Sequence, residues 1–256
     1  GLVLAAWLVG GLLSLAGALA NAELGAMFPR AGGDYVYLRE GWHPAAGFLV
    51  GWLSFFVIYA GTVASLAAAF GEAVAPHLGL GSTAALGLAI AATVGTSAVN
   101  YVGVRRGVQV NNLGSWLKLG GTALFVGAAL VAGGGDAERL RPLVAGASAA
   151  APLSAFGLAL SPVLFTYLGW NAPVYLASEI HDPARALPRA LFLGLGLCIG
   201  CYLALNLVYL YALPLSALAA EPNAGAATAR ALFGPAAGRL MSAFVVGSIL
   251  GTLHAT

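Results

Sequence analysis

Phe165-Thr166-Tyr167-Leu168-Gly169-Trp170-Asn171 stands inside an apolar stretch, Leu153 to Ala177, that is long enough to cross a membrane. The same stretch holds Pro162, Gly169, Asn171 and Pro173. A spanning helix keeps its backbone hydrogen bonds internal, because lipid offers no replacement. Each proline removes a donor, and Gly169 weakens the helix between them. The sequence therefore predicts a broken helix at this point. Such a break is tolerated at membrane depth only where the freed carbonyls and amides line a polar cavity. Freed backbone groups at the bilayer midplane are also a means of holding a small charged solute, which makes Phe165, Thr166, Tyr167, Leu168, Gly169, Trp170 and Asn171 the expected substrate-binding residues.

The rest of the chain places that stretch in a membrane. Hydrophobic residues make up 60% of the 256 and charged residues only 8%, with a mean hydropathy of +0.90. A soluble domain carries roughly 25% charged residues. The formal charge of +2 is too small to suggest a nucleic-acid partner. The chain opens at Gly1 in an apolar run with no charged segment or cleavage site before it, and it stops at Thr256 inside another. We therefore expect one transmembrane domain over residues 1–256, incomplete at both ends.

A membrane helix needs about 20 mostly apolar residues. The expected spans are Leu2–Phe28, Ala45–Ala75, Ala84–Tyr101, Leu113–Ala132, Leu153–Ala177, Ala190–Leu213 and Leu240–Thr256, with turn formers between them. Arginines fall in the loop after the first span (Arg30, Arg39), the third (Arg105, Arg106) and the fifth (Arg185, Arg189). Lys and Arg mark the cytoplasmic side, so these loops face the cytoplasm and Gly1 lies outside. The fourth loop, with Arg139 and Arg141 beside Asp136 and Glu138, is the weak point of that assignment. Gly10 with Ser14, and Gly196 with Gly200, have the four-residue spacing that lets helices approach closely in lipid.

Few residues are suited to chemistry. Lys118, the only lysine, lies in the fourth span near its expected cytoplasmic end. It reads either as an anchor whose stem reaches the interface or as a fixed charge facing a cavity between helices. Glu23 and Glu179 close the first and fifth spans, where the helix dipole disfavours a carboxylate. Each is expected to pair with a nearby Arg or to accept loop amides. Cys198 and Cys201 form a C-x-x-C, but in an apolar run they read as small packing residues rather than a redox or metal pair. Gly194-x-Gly196 lacks the strand and the third glycine of a nucleotide loop. His43, His77, His181 and His254 lack ligand spacing, and no Ser/His/Asp grouping shares a face. The reading is not an enzyme, with no metal and no cofactor.

Three stretches together resemble the amino acid–polyamine–organocation permeases, in particular their amino acid transporter branch. The first runs from Gly17-Ala18-Leu19-Ala20-Asn21-Ala22-Glu23-Leu24-Gly25 into Phe28-Pro29-Arg30-Ala31-Gly32-Gly33-Asp34-Tyr35-Val36-Tyr37-Leu38. The second is Asn100-Tyr101-Val102-Gly103-Val104-Arg105 with Lys118 downstream. The third runs from Tyr167-Leu168-Gly169-Trp170-Asn171 through Glu179-Ile180-His181-Asp182-Pro183 to Pro188-Arg189-Ala190. The resemblance implies an all-α membrane protein of the inverted-repeat (5+5) transporter fold. In this truncated chain it implies about seven transmembrane helices, the family's second to eighth, with the fifth one broken.

It also implies roles. Carbonyls of Phe165, Thr166 and Leu168 would take a substrate ammonium group, with Phe165 and Trp170 as candidates for gating and side-chain contact. Lys118 would stand where sodium-coupled relatives bind sodium, with Ser248 as a neighbour of its ammonium. The partners implied are a small-molecule amino acid and the lipid bilayer, with an accessory subunit left open and a bacterial inner membrane as location. A receptor or structural membrane protein of the same fold is the alternative. A seven-helix retinal photoreceptor is disfavoured, because Lys118 is in the fourth span and no Asp lies inside any span.

Overall fold

The computed structural model describes residues 2–132, 134–140 and 153–256, and all regular structure among them is helical. Among the described residues six helices are long and apolar enough to cross a membrane: Leu2–Met27, Pro44–Leu78, Ser82–Val102, Gly107–Val131, Pro183–Ala212 and Pro235–Ala255. The remaining expected span is the broken one, and its helical part, Leu153–Thr166, has only 14 residues. The protein is an integral membrane protein with a truncated 5+5-type helical fold. Arg141 lies outside the described residues.

The helices are α1 (Leu2–Met27), α2 (Asp34–Gly41), α3 (Pro44–Leu53), α4 (Ala60–Val74), α5 (Ser82–Val102) and α6 (Val104–Ala132). They continue with α7 (Leu153–Thr166), α8 (Ala172–Tyr175), α9 (Pro183–Ala212), α10 (Leu215–Ala220), α11 (Ala224–Phe233) and α12 (Pro235–Ala255). A π-helical turn, Ser54–Tyr59, joins α3 to α4 without interrupting the run. The chain divides into two compact units. One comprises Gly1–Trp52 and Asp136–Tyr211, the other Leu53–Gly135 and Ala212–Thr256.

The first unit is organised by small residues on α1. Its buried positions include Ala6, Gly10, Ser14, Ala18 and Ala22, spaced every four residues. Between lipid-embedded helices, van der Waals packing and hydrogen bonds replace the hydrophobic drive, so small residues mark the contact. A Cβ on Gly10 would lie 2.7 Å from Val163 Cγ1 of α7, and one on Gly11 would lie 2.6 Å from Ile199 Cγ1 of α9. The Gly10 and Ser14 spacing is thus used as expected. The Gly196 and Gly200 spacing is not: neither position has a neighbour within 4 Å. The buried side of α9 is the Leu187, Leu191 and Leu195 face instead. Its start also differs from expectation. Asp182 (φ 49) accepts the N–H groups of Arg185 and Ala186, so the helix begins at Pro183 and takes in Pro188.

In the second unit α12 packs on α4, α5 and α6, around a core of Ala67, Ala89 and Leu253. Asn223 caps α11 by accepting the Ala226 N–H at 2.9 Å, and Gly234 (φ 90) turns the chain into α12. The third loop is shorter than the sequence suggests. Gly103, at φ 149, alone separates α5 from α6, so Arg105 and Arg106 open a helix rather than fill a loop.

Candidate functional site

The break follows from local chemistry. Helix α7 ends at Thr166, and the Tyr167 N–H donates to both Val163 and Leu164 carbonyls at 3.2 Å. The Leu168 N–H then donates to the Phe165 carbonyl at 3.2 Å, which tightens the last turn. Gly169 follows at φ 105, a conformation that side chains other than glycine's rarely adopt. The Ala172 N–H closes onto the Gly169 carbonyl at 3.1 Å before the single turn of α8. Among the described residues, the N–H groups of Gly169, Trp170 and Asn171 have no backbone acceptor, and the Tyr167 and Leu168 carbonyls have no backbone donor. Asn171 caps α8 by position only, without a side-chain bond.

Aromatic rings hold the inner side of the break. Tyr167 is 3% exposed, and its hydroxyl donates to the Trp7 carbonyl at 3.1 Å. Tyr202 of α9 donates to the Thr166 carbonyl at 3.4 Å, and the Thr166 hydroxyl donates to the Pro162 carbonyl at 2.9 Å. The rings of Trp7, Tyr167 and Tyr202 meet at centroid distances of 6.0, 5.2 and 5.1 Å, mostly edge to face. The Trp170 ring rests on Gly17 of α1, 3.2 Å from where a Cβ would stand. Phe165 and Leu168 are exposed.

A cavity of ≈ 350 Å³ opens between this segment and α9. Thr166 through Trp170 border it on one side, and Gly194, Cys198 and Tyr202 are among the residues on the other. Five of the seven predicted binding residues therefore line one space; Phe165 and Asn171 do not. Among the described residues no charged one lines it, and the polar groups they offer are main-chain dipoles, hydroxyls, the Trp170 indole N–H and a thiol. The sequence reading made Cys198 a packing residue. It is exposed and borders the cavity, about one turn along α9 from Leu195, which lines the same cavity.

Beyond the break, the first loop supports the chain. The Tyr175 hydroxyl donates to Asp34 Oδ2 at 2.8 Å, and the ring passes so close to Gly33 (φ 47) that a Cβ there would lie 2.8 Å from it. Burial, and secondarily the Asp34 charge, push the nearby Tyr37 hydroxyl above the usual tyrosine range. Among the described residues neither Glu23 nor Glu179 pairs with an arginine as expected. Arg30 is paired with Glu40 at 4.0 Å and Arg185 with Asp182 at 3.9 Å, and both glutamates are exposed.

The second unit holds the other predicted pair. Lys118 lies fourteen residues from either end of α6, at mid-helix rather than near an end, because α6 begins at Val104. Its Nζ donates to Thr252 Oγ1 at 2.7 Å, and Thr252 donates to the Ser248 carbonyl at 2.9 Å. Lys118 and Ser248 are thus joined through a hydroxyl that sequence reasoning did not single out. Trp7 and Tyr202 also escaped it. Tyr202 could have been found from its spacing of four beyond Cys198 and seven beyond Leu195, whereas nothing local marks Trp7.

A family model described as amino acid permease matches residues 1–255. The chain belongs to that family. This permease chain is 31% identical over 254 residues to a serine/threonine exchanger of Bacillus subtilis, covering 99% of the chain and 57% of that relative. It is 33% identical over 208 residues to the b(0,+)-type amino acid transporter 1 of Homo sapiens, covering 79% and 42%. It is 33% identical over 239 residues to the large neutral amino acids transporter small subunit 2 of Mus musculus, covering 89% and 44%. The chain therefore spans about half the length of the curated relatives it matches.

Proposed function

We propose that the full-length permease moves amino acids across the membrane by alternating access, as a secondary active transporter or exchanger, and holds the solute at the break around Gly169. The observation that supports this most directly is the run of main-chain polar groups without helical partners beside a cavity. Free N–H groups suit a carboxylate, and free carbonyls suit an ammonium group. A zwitterion needs both. In this reading the N–H groups of Gly169, Trp170 and Asn171 take the carboxylate, and the free carbonyls of Tyr167 and Leu168, with the remaining lone pairs of those of Phe165 and Thr166, offer acceptors to the ammonium. Trp170, which borders the cavity, touches the solute's side chain, and Phe165, exposed outside it, gates access. Lys118, with Thr252 and Ser248, supplies the fixed charge that replaces a sodium ion. The names of the relatives, as exchangers and transporters of amino acids, agree with this activity. One of them is called a small subunit, which fits an accessory partner. The bacterial relative fits a bacterial inner membrane.

The test is uptake by the Gly169→Leu variant of the full-length protein. Its φ of 105 would strain a leucine, yet no atom lies within 4 Å of the added Cβ. The damage should therefore be confined to the break. Uptake is expected to fall by at least about 100-fold, from the loss of several main-chain contacts at once, with membrane insertion unchanged. Normal uptake would remove the break from the transport route.

A further inference from the structure

We propose that Asp34 and Tyr175 are positioning residues for solute binding. They clasp the chain just beyond the Gly169 break to the first loop, and so fix the direction of the free N–H groups at Gly169, Trp170 and Asn171. The inference rests on the reading of that break as the solute site. Neither Asp34 nor Tyr175 is among the residues that line the cavity, so both act on the solute through the main chain they hold.

A broken helix needs outside support. Helix α7 ends at Thr166, and α8 is a single turn, Ala172–Tyr175. One turn does not hold itself in place, because fixing its residues costs more than its first hydrogen bond returns. Contacts from elsewhere therefore decide where the freed main chain points. Val174 is fully buried, with side-chain atoms 3.4 Å from where a Cβ on Gly25 of α1 would stand and 3.2 Å from one on Gly33. Tyr175 is held at both ends. Its carbonyl accepts the Gly32 N–H at 3.4 Å, and its hydroxyl donates to Asp34 Oδ2 at 2.8 Å. Between those bonds the ring lies against Gly33, whose φ of 47 and missing Cβ leave room for it. Asp34 opens α2, and Val36 and Tyr37 of α2 are buried in the same core as Ala18 and Ala22 of α1. The clasp thus ties the unsupported turn to an anchored element. Its bond to the carboxylate is the strongest of these contacts by type, since a charged acceptor roughly doubles a hydrogen bond. With the clasp made, the N–H groups of the break are already oriented. Without it, the binding-competent orientation is only fractionally populated, and apparent affinity falls by that fraction.

The experiment measures initial serine uptake by the full-length permease and by its Tyr175→Phe, Asp34→Ala and Asp34→Asn variants, and by Tyr175→Phe combined with Asp34→Ala. Tyr175→Phe keeps the ring on Gly33 and removes only the donor. It and Asp34→Ala are each expected to raise KM by at least about tenfold, the scale of one hydrogen bond to a charged group, and to change kcat by less than about threefold. Asp34→Asn still offers an amide oxygen to the hydroxyl and should stay within about threefold of the wild-type KM. Because the two residues act through one bond, the double variant should be no more than about twofold worse than either single one. A merely structural loss would reduce the number of working molecules, lowering the maximal rate and leaving KM unchanged. Hydrogen exchange adds a readout that needs no solute. Amides from Gly169 to Leu176 should exchange at least about tenfold faster in Tyr175→Phe, with those of α1 unchanged. A wild-type KM in Tyr175→Phe, multiplying effects in the double variant, or unaltered exchange at the break would overturn the inference. If Gly169→Leu abolishes uptake while Tyr175→Phe keeps the wild-type KM, only the clasp fails. If Gly169→Leu transports normally, the solute site fails, and the clasp has nothing to position.

Discussion

Lys118 shows how a single residue's role depends on where its helix begins. A cation at the centre of a spanning helix costs about 2.5–3.5 kcal/mol on insertion scales. Its reach to Thr252, and from there to Ser248, gives the ammonium a polar partner that lipid would not. The sequence placed it near an interface because Val104 to Asn112 looked like a loop, and hydropathy does not register helix that starts among polar residues. If this ammonium replaces a coupling ion, exchanging sodium for choline should change initial uptake by less than about twofold, since no bound sodium contributes to the site. A tenfold or larger sodium requirement would contradict that role. Pro162, Gly169 and Pro173 were legible because their effect is written in their own backbone chemistry. Trp7 and Tyr202 were not, because they reach the break from elements 160 and 36 residues away in the chain.

At the scale of elements, close approach between helices is set by individual glycines. Gly71 of α4 meets α5 at a backbone carbonyl, that of Ala85, and an added Cβ would occupy the same space. A carbonyl within a helix cannot rotate aside as a flexible side chain can. Gly71→Ala is therefore expected to destabilise the second unit by about 1–3 kcal/mol, the usual cost of overpacking. Thermal unfolding of the full-length protein in detergent measures it. Gly61→Ala, on the same helix with nothing within 4 Å, should have the opposite sign, because alanine is the better helix former by up to about 1 kcal/mol. Equal effects of the two would refute this packing. The four-residue glycine spacing was visible in the sequence at both Gly10 and Gly196, yet only the first is used. Spacing identifies a capacity for contact; the partner's position decides whether it is exercised.

For the whole molecule, composition alone fixed the solvent: so apolar a chain has to bury its surface in lipid. The helix count follows from run length, and Pro162, Gly169 and Pro173 mark the fifth span as broken. The division of the chain into two units was not legible, because it depends on which distant segments pack together. The central claim is that a solute takes the place of helical partners at the break. A structure of the full-length permease with its amino acid bound tests this directly. It should place the carboxylate within about 3.2 Å of main-chain N–H groups among Gly169, Trp170 and Asn171, and the ammonium at a similar distance from carbonyls between Phe165 and Leu168. Regular i to i−4 bonding through Leu168, Gly169 and Trp170, with the bound amino acid elsewhere, would contradict it.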